Sequence, residues 1–195
     1  MTEARFTRGQ SALLERSLGR PRGEVSVSAF GLLFSELVQH CQSRAASVGE
    51  LQGGLAALGR SVGGRALEGL AWREKGGSGG GGGRRETRLL GALLFVKGPV
   101  WRGLFGREAE RLEQANDDPR VYYLIEREPL LNAYVSPPRD HASLNPASFA
   151  AGVVEAVLGR AGFPARVSAH WHKGTTLMIK FDQAVLARER ALEGR

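Results

Sequence analysis

The side chains with the clearest capacity for chemistry are two histidines near the end of the sequence, His170 and His172. They alternate with apolar residues as in a β-strand, so both imidazoles lie on one face, where their ring nitrogens could hold a metal ion. A third ligand would have to come from elsewhere, for example His141 or Asp140, and nothing in the spacing requires these residues to meet. We therefore interpret the pair as polar residues of a sheet surface or partner interface and predict no metal site.

A second candidate is His40 beside Cys41, which have the residue types of a base and a nucleophile. Adjacent helix residues point about 100° apart, so these two side chains diverge. Cys41 also falls on an apolar stripe, where a thiol is normally an inert core group. No Ser-His-Asp order, general acid–base carboxylate pair or dinucleotide fingerprint stands out elsewhere. The sequence predicts no catalytic residue, no cofactor and a protein that is not an enzyme by itself.

The third candidate is a glycine run, Gly76 to Gly83, interrupted only by Ser78. A phosphate-binding loop needs a preceding strand and a Lys followed by Ser or Thr, whereas here a helix precedes and Arg-Arg-Glu follows. Glycines bury no side chains and so cannot offset the entropy lost on ordering. We therefore predict a disordered Gly-rich insertion at 76–85.

Composition sets the broad class. With 195 residues, 42% of them hydrophobic, the chain can bury one sizeable core, and we expect a single domain over 23–195. The one cysteine excludes an internal disulfide bond and fits a reducing compartment such as the cytosol. No stretch approaches the roughly 20 apolar residues that cross a bilayer, and the N-terminus lacks the apolar core of a signal peptide. We expect a soluble protein that is not secreted.

The formal net charge of +7 is unevenly distributed. The segment 1–22 is basic and includes Arg5, Arg8 and Arg16. Charge alone does not choose among nucleic acid, an anionic membrane surface and an acidic protein as the partner. We interpret 1–22 as a partly flexible basic arm, which either contacts a partner or is a solvated terminus.

The first half of the sequence carries helical patterns. An apolar stripe at intervals of three and four residues predicts a helix over about 28–44. Its members are Phe30, Leu33, Phe34, Leu37, Val38 and Cys41. Ser47 followed by Glu50 is a capping-box pattern that predicts the start of a second helix. A third helix covers about 89–96, and Pro99 either starts a new helix or kinks one longer helix.

The segment 101–113, WRGLFGREAERLE, has apolar residues at helical spacing and predicts an amphipathic helix. The Asn-Asp-Asp-Pro cluster at 116–119 then ends it and turns the chain. The run Val121 to Ile125 follows as a strand that is apolar on both faces. We predict its hairpin partner at Leu131 to Ser136.

A helix and a second hairpin complete the pattern. Asn145-Pro146 predicts the start of the helix and Gly162 its end. A three-residue turn, Lys173-Gly174-Thr175, would keep the apolar residues of both strands on one face, with Trp171 beside Leu177 and Ala169 beside Ile179. Asp182 then caps a last short helix.

The elements therefore follow the order of three or four helices, two strands, a helix, two strands and a helix. Adjacent hairpins favour antiparallel pairing. The predicted class is α+β, with helices packed on a four-stranded antiparallel sheet.

Two long segments, 93–138 and 145–181, resemble the small α/β subunits of the transport protein particle (TRAPP). The likeness extends over most of the chain, from about Arg5 to Arg195. The resemblance implies the same fold and a non-catalytic subunit of a vesicle-tethering complex. That complex, as a whole, exchanges nucleotide on a Rab-type GTPase in transport between the endoplasmic reticulum and the Golgi. The expected partners are other small TRAPP subunits and, through the complex, the GTPase. The expected location is cytoplasmic, peripherally at endoplasmic reticulum and cis-Golgi membranes.

The first two helices carry more leucine and phenylalanine than a small sheet needs to cover it, which predicts an interface there. The candidates are Phe34, Leu37, Leu51 and Leu55. The alternative is that they belong to the core. Arg5, Arg8 and Arg16 are candidates for contact with the GTPase or the membrane.

Two other functional classes stay open. A basic nucleic-acid-binding module would need exposed aromatic residues among Lys and Arg, whereas Trp171 and Phe181 share a face with apolar residues and are predicted to be buried. No nucleic acid is therefore expected. A small-molecule-binding domain is the other class, because α/β folds of this kind resemble ligand-sensing domains.

Overall fold

The computed structural model describes residues 25–77, 86–137 and 142–193. In chain order the elements are α1 (Val27–Gln42), α2 (Val48–Gly77), α3 (Leu89–Phe95), a π-helical segment (Val96–Val100), α4 (Trp101–Phe105), β1 (Arg111–Gln114), β2 (Val121–Glu126), α5 (Leu130–Ala133), α6 (Ser148–Ala161), β3 (Ala165–Trp171), β4 (Thr175–Phe181) and α7 (Gln183–Glu193). The four strands form one antiparallel sheet in the order β1-β2-β4-β3. The predicted α+β class with a four-stranded antiparallel sheet is confirmed.

The second helix begins where its capping box predicts, and α1 lies within two residues of the predicted range at both ends. The Ser26 hydroxyl accepts a hydrogen bond from the Ala29 amide at the start of α1. At the start of α2 the Glu50 amide donates to the Ser47 hydroxyl at 3.2 Å, and the Glu50 carboxylate accepts from the Ala46 amide at 2.8 Å. This reciprocal pair satisfies amides that have no partner within the helix. The helix continues to Gly77, so the first two residues of the predicted glycine insertion are helical, and 78–85 lies outside the described residues.

Pro99 lies inside a continuous helical run. The five residues around it adopt a π-helix between α3 and α4, which accommodates a residue without an amide hydrogen. The helix ends at Gly106, whose φ of 77° is left-handed and favours glycine.

Two sequence predictions around the first hairpin are wrong. The segment 101–113 is not one helix, because Gly106 stops it and Arg111–Gln114 forms β1. The hairpin partner of β2 is therefore β1, with Leu112 opposite Leu124, and not the segment 131–136. That segment begins within α5, the short helix that follows Pro129. Helical spacing misled because β1 is too short for its own alternation to outweigh that pattern.

The predicted register of the second hairpin is shifted by two residues. Ala169 lies opposite Leu177 and Trp171 opposite Thr175, so the turn comprises residues 172–174. Gly174 has the predicted left-handed conformation, with φ of 91°. A shift of two keeps every side chain on its predicted face, since strand side chains alternate with a period of two.

The closest contact between helices is made by α2 and α6, which meet through glycines. A Cβ atom at Gly59 would stand 2.0 Å from the Phe149 carbonyl oxygen, and one at Gly152 would stand 2.0 Å from the Ala56 carbonyl oxygen. These backbones therefore approach more closely than any side chain allows. The α6 helix also packs on β3, so it connects α2 to the sheet.

Candidate functional site

The predicted interface residues lie mostly inside the molecule. Phe34 is 2% exposed, and Leu51 and Leu55 are as deeply buried in the hydrophobic core. Leu37 is half-buried and packs against that core. The alternative that the sequence left open, a core role, matches the position of these side chains in the single chain.

The exposed apolar surface of α1 lies beside them. Leu32 is 76% exposed and Leu33 is 62% exposed. Tyr134 packs against α1 at Gly31, the residue before Leu32, where a Cβ atom would meet its ring at 3.3 Å. We call Leu32, Leu33 and Tyr134 the α1 patch. The sequence contained one signal for it, because Leu32 is a large apolar residue off the helical stripe.

Cys41 is buried, as its place on the stripe predicts, and burial raises the pKa of its thiol. A Cβ atom at Gly54 would lie 3.4 Å from the Cys41 sulfur, so the thiol packs in the contact between α1 and α2. The neighbouring His40 is exposed. The structure therefore does not bring the thiol and imidazole together as a catalytic pair.

His170 and His172 are both exposed; His170 is on β3 as predicted, whereas β3 ends at Trp171 and His172 lies in the turn and not on the strand. The ring of His170 hydrogen bonds to the Ser168 hydroxyl at 2.7 Å. Within the described ranges no three His, Cys, Asp or Glu residues cluster closely enough to hold a metal ion. His141 and Asp140 lie outside those ranges, as do Arg5, Arg8 and Arg16.

The prediction that Trp171 and Phe181 are both buried is half wrong. Phe181 is in the core, but Trp171 is 53% exposed at the end of the edge strand β3. Trp171 lines a groove between β3 and the N-terminal half of α2, together with Gln52, Gly53 and Ala56. The alternation of apolar residues correctly predicted the face of β3 on which the Trp171 side chain lies. It did not show that the helices leave this end of the face uncovered.

The main buried charge is Glu126, at the end of β2. It is 3% exposed and forms an ion pair with Arg107, and one carboxylate oxygen also accepts a hydrogen bond from the Glu110 amide. Burial raises the pKa of Glu126, and the Arg107 guanidinium opposes that effect. The group lies against a small, mostly apolar pocket lined by Trp101 and Leu131. A paired carboxylate here links β2 to the loop before β1.

Among the described residues no helix is both long enough and apolar enough to cross a membrane. The candidate functional features are surfaces: the α1 patch and the groove along β3. In the groove the Ser168 hydroxyl is hydrogen-bonded to the His170 ring at 2.7 Å, but among the described residues no Asp or Glu lines the groove to orient the imidazole.

The chain matches the profile of the family described as Transport protein particle (TRAPP) component over residues 30–182. It is 70% identical over 193 residues to the human protein named trafficking protein particle complex subunit 5, covering 99% of this chain and 100% of that protein. A Dictyostelium discoideum protein of the same name is 38% identical over 183 residues, covering 90% and 95%.

A solved structure has the same fold. It is the crystal structure of a trafficking protein particle complex subunit 3 from Naegleria fowleri covalently bound to palmitic acid. The TM-score is 0.68 at 13% identity, and the match covers 80% of this chain and 95% of that chain. With a family profile that spans most of its length and full-length relatives at high identity, the chain belongs to the transport protein particle (TRAPP) component family.

Proposed function

We propose that this chain is a non-catalytic structural subunit of a TRAPP-type vesicle-tethering complex, and that it assembles with other small TRAPP subunits through the α1 patch. Relatives that are similar over their full length are named as subunits of a trafficking protein particle complex, which supports the assembly role. The whole complex would act as the nucleotide exchange factor for a Rab-type GTPase in transport from the endoplasmic reticulum to the Golgi. The chain would then be cytoplasmic and peripheral to those membranes.

The observation that carries this proposal is the exposure of two large apolar side chains, Leu32 and Leu33, on the outer side of a helix whose other side is in the core. Large apolar side chains left exposed on the outer side of a helix are typical of surfaces that a partner covers. Tyr134 is 47% exposed, packs on α1 at Gly31 and is a residue type enriched at interfaces. The interface proposed here is therefore the outer side of α1, whereas Phe34 and Leu37, which the sequence predicts for the interface, pack toward the core.

Nothing in this proposal requires an acyl chain on Cys41. The palmitic acid named in the Naegleria structure belongs to a protein of 13% identity. In this chain the Cys41 sulfur packs against Gly54, and burial raises the thiol pKa, which lowers the fraction of reactive thiolate.

The proposal is tested by affinity purification of the tagged chain from cytosolic extract at two salt concentrations, with mass spectrometry of the bound proteins. The wild-type chain is expected to retain other small TRAPP subunits, and the Leu32→Asp/Leu33→Asp variant to lose them. The control is Val62→Asp, which introduces a charge at an exposed apolar residue of α2, away from the α1 patch, and should keep those subunits.

Retention of the same subunits by Leu32→Asp/Leu33→Asp would contradict assembly through the α1 patch. A wild-type chain that emerged alone, or with RNA that washes off in high salt, would contradict the subunit role itself. Nucleotide exchange on a Rab-type GTPase in the wild-type eluate is the expected activity of the assembly.

A further inference from the structure

The strand β3 has a free side. At the end of β4, the Phe181 amide donates to the Arg120 carbonyl, on the β2 side, and the next amide, of Asp182, donates to the Pro164 carbonyl, on the β3 side. These two bonds show which backbone groups of β4 point toward β3. Because backbone groups alternate along an antiparallel strand, Val167 and Ala169 direct their amide and carbonyl groups away from β4. Consistent with this, the Val167 amide donates to the Glu155 side chain at 3.1 Å rather than to β4. The free side of β3 is therefore available from the Val167 carbonyl onward.

A groove runs along this free side, between β3 and α2. Its lining is made of small, amide and valine side chains together with His170 and Trp171, and it includes no Asp, Glu, Lys or Arg among the described residues. On the opposite wall Gly53 leaves open space, since a Cβ atom there would meet nothing within 4 Å. A main chain fits such a groove better than a phosphate or another charged group, because the groove offers hydrogen bonds and room without a counter-charge.

One polar side chain that lines the groove is buried. Asn145 is 1% exposed, and its Oδ1 accepts from the Ala147 amide at 3.1 Å, which holds the side chain in place. Its Nδ2 is also buried and makes no hydrogen bond to the protein, and the same is true of the Oδ1 of its neighbour Asn132. This pair of amides therefore belongs to the floor of the groove, and the contacts open to a bound chain are the backbone groups of β3.

We propose that this groove binds an extended polypeptide segment of another protein, which adds to the free edge of β3. The Val167 carbonyl and the Ala169 amide and carbonyl would pair with its main chain, and the exposed Trp171 indole would pack on one of its side chains. This goes beyond the proposed function, because it adds a second binding surface that is formed by β3 and α2 and does not include the α1 patch.

The test uses a phage library of random 12-residue peptides, selected on the full-length wild-type chain. Enriched sequences are synthesised with a fluorescent label, and their dissociation constants are measured by fluorescence polarisation. Two arginine variants at exposed glycines of α2 are compared: Gly53→Arg fills the groove, and Gly69→Arg, where a Cβ atom also meets nothing within 4 Å, is the matched control. Both replace glycine within a helix by a better helix former, so both variants should fold.

The expected result is that Gly53→Arg weakens peptide binding at least tenfold while Gly69→Arg leaves it unchanged. Two N-methylated forms of the peptide are compared, one methylated at the odd-numbered amides and one at the even-numbered amides. Only the form that loses the amides facing β3 should fail to bind, because alternate residues of a paired strand direct their amides to opposite sides. The proposal is overturned if no peptide is enriched, if Gly53→Arg binds as tightly as wild type, or if methylation has the same effect in both forms. Leu32→Asp/Leu33→Asp should still bind the peptide, so the failure of either proposal is seen separately.

Discussion

Glu126 is a buried residue whose ionisation is coupled to folding. Its carboxylate is buried at the end of β2, and the cost of removing it from water outweighs the attraction of Arg107, so its pKa lies above the usual value of 4.5. A carboxyl with a raised pKa in the folded state binds its proton more tightly there than in the unfolded chain. Folding is therefore favoured by protonation of Glu126.

We predict that Glu126 makes the protein less stable as the pH rises from the unfolded-state pKa, about 4.3, through its higher folded-state pKa. Glu126→Gln keeps the shape without the charge and should remove this component of the pH dependence. The measurement is the urea midpoint of both proteins between pH 4 and 8. Identical pH profiles for the two would contradict the prediction.

Asp118 should respond in the opposite direction. A side-chain hydrogen bond from Arg120, together with that residue's amide and charge, lowers the pKa of Asp118 to about 2. A lowered pKa favours folding above the unfolded-state value of 3.8, and this contribution is lost as the pH falls through about 2. Arg120→Ala should raise the Asp118 pKa, as measured by NMR titration of the carboxyl carbon. An unchanged titration midpoint would exclude Arg120 as the cause.

At the scale of residues, the chemical character of a side chain was easier to predict from the sequence than its exposure. The inert character predicted for Cys41 follows from its place on an apolar stripe, and the thiol is buried. Leu33 lies on the same stripe and yet is exposed, because the stripe is wider than the surface that α2 and α6 cover. How much of the stripe is covered depends on how the neighbouring helices pack against α1, and the sequence of α1 does not show this.

At the scale of elements, the contact between α2 and α6 depends on glycine. Gly59→Ala would place a methyl group 2.0 Å from the Phe149 carbonyl oxygen and should destabilise the protein by about 1–3 kcal/mol or more. Gly53→Ala on the same helix meets nothing within 4 Å and should stabilise it by about 0.5–1 kcal/mol. Chemical denaturation measures both. A similar change in stability for the two would show that helix propensity, rather than close approach, governs these sites.

Helix starts were predictable because a cap needs only a few neighbouring residues, as with Ser47 and Glu50. The first hairpin was not, since a four-residue strand such as β1 is chosen by its partner β2 more than by its own pattern. The second hairpin lies between these cases. Alternation fixed which residues face the helices, while the turn conformation at Lys173 and Gly174 decided the register.

At the scale of the whole molecule, core and interface should separate by experiment. Phe34→Ala removes a ring that is 2% exposed and should cost about 3–5 kcal/mol of folding stability. Leu32→Asp changes a side chain that is 76% exposed and should alter stability by no more than about 0.5 kcal/mol, while it weakens binding of other small TRAPP subunits. Thermal unfolding and pull-down of the same preparations provide both readings. A large loss of stability for Leu32→Asp would assign that residue to the core.

The sequence predicted the fold class and family of the whole molecule because both depend on long patterns that single errors do not change. The surfaces were harder to predict. The groove along β3 exists because β3, and not β2, is at the edge of the sheet, and strand order is not encoded in any local pattern. Its polar member, Asn145, was recognised as a helix start, a role it has through the Ala147 amide.

The strand order also determines when the strands can pair while the chain is being synthesised. Strands β2 and β4 pair at the centre of the sheet, although β2 ends at Glu126 and β4 begins at Thr175. At roughly 5–20 residues per second, a ribosome needs about 2–10 s to make the chain between them. For that time the growing chain can form the β1–β2 hairpin, but the edge of β2 that later pairs with β4 has unpaired backbone groups, and the apolar side chains of β2 are uncovered. The newly made protein therefore passes through an interval in which a chaperone, or a wrong strand, can reach β2 before its own partner does.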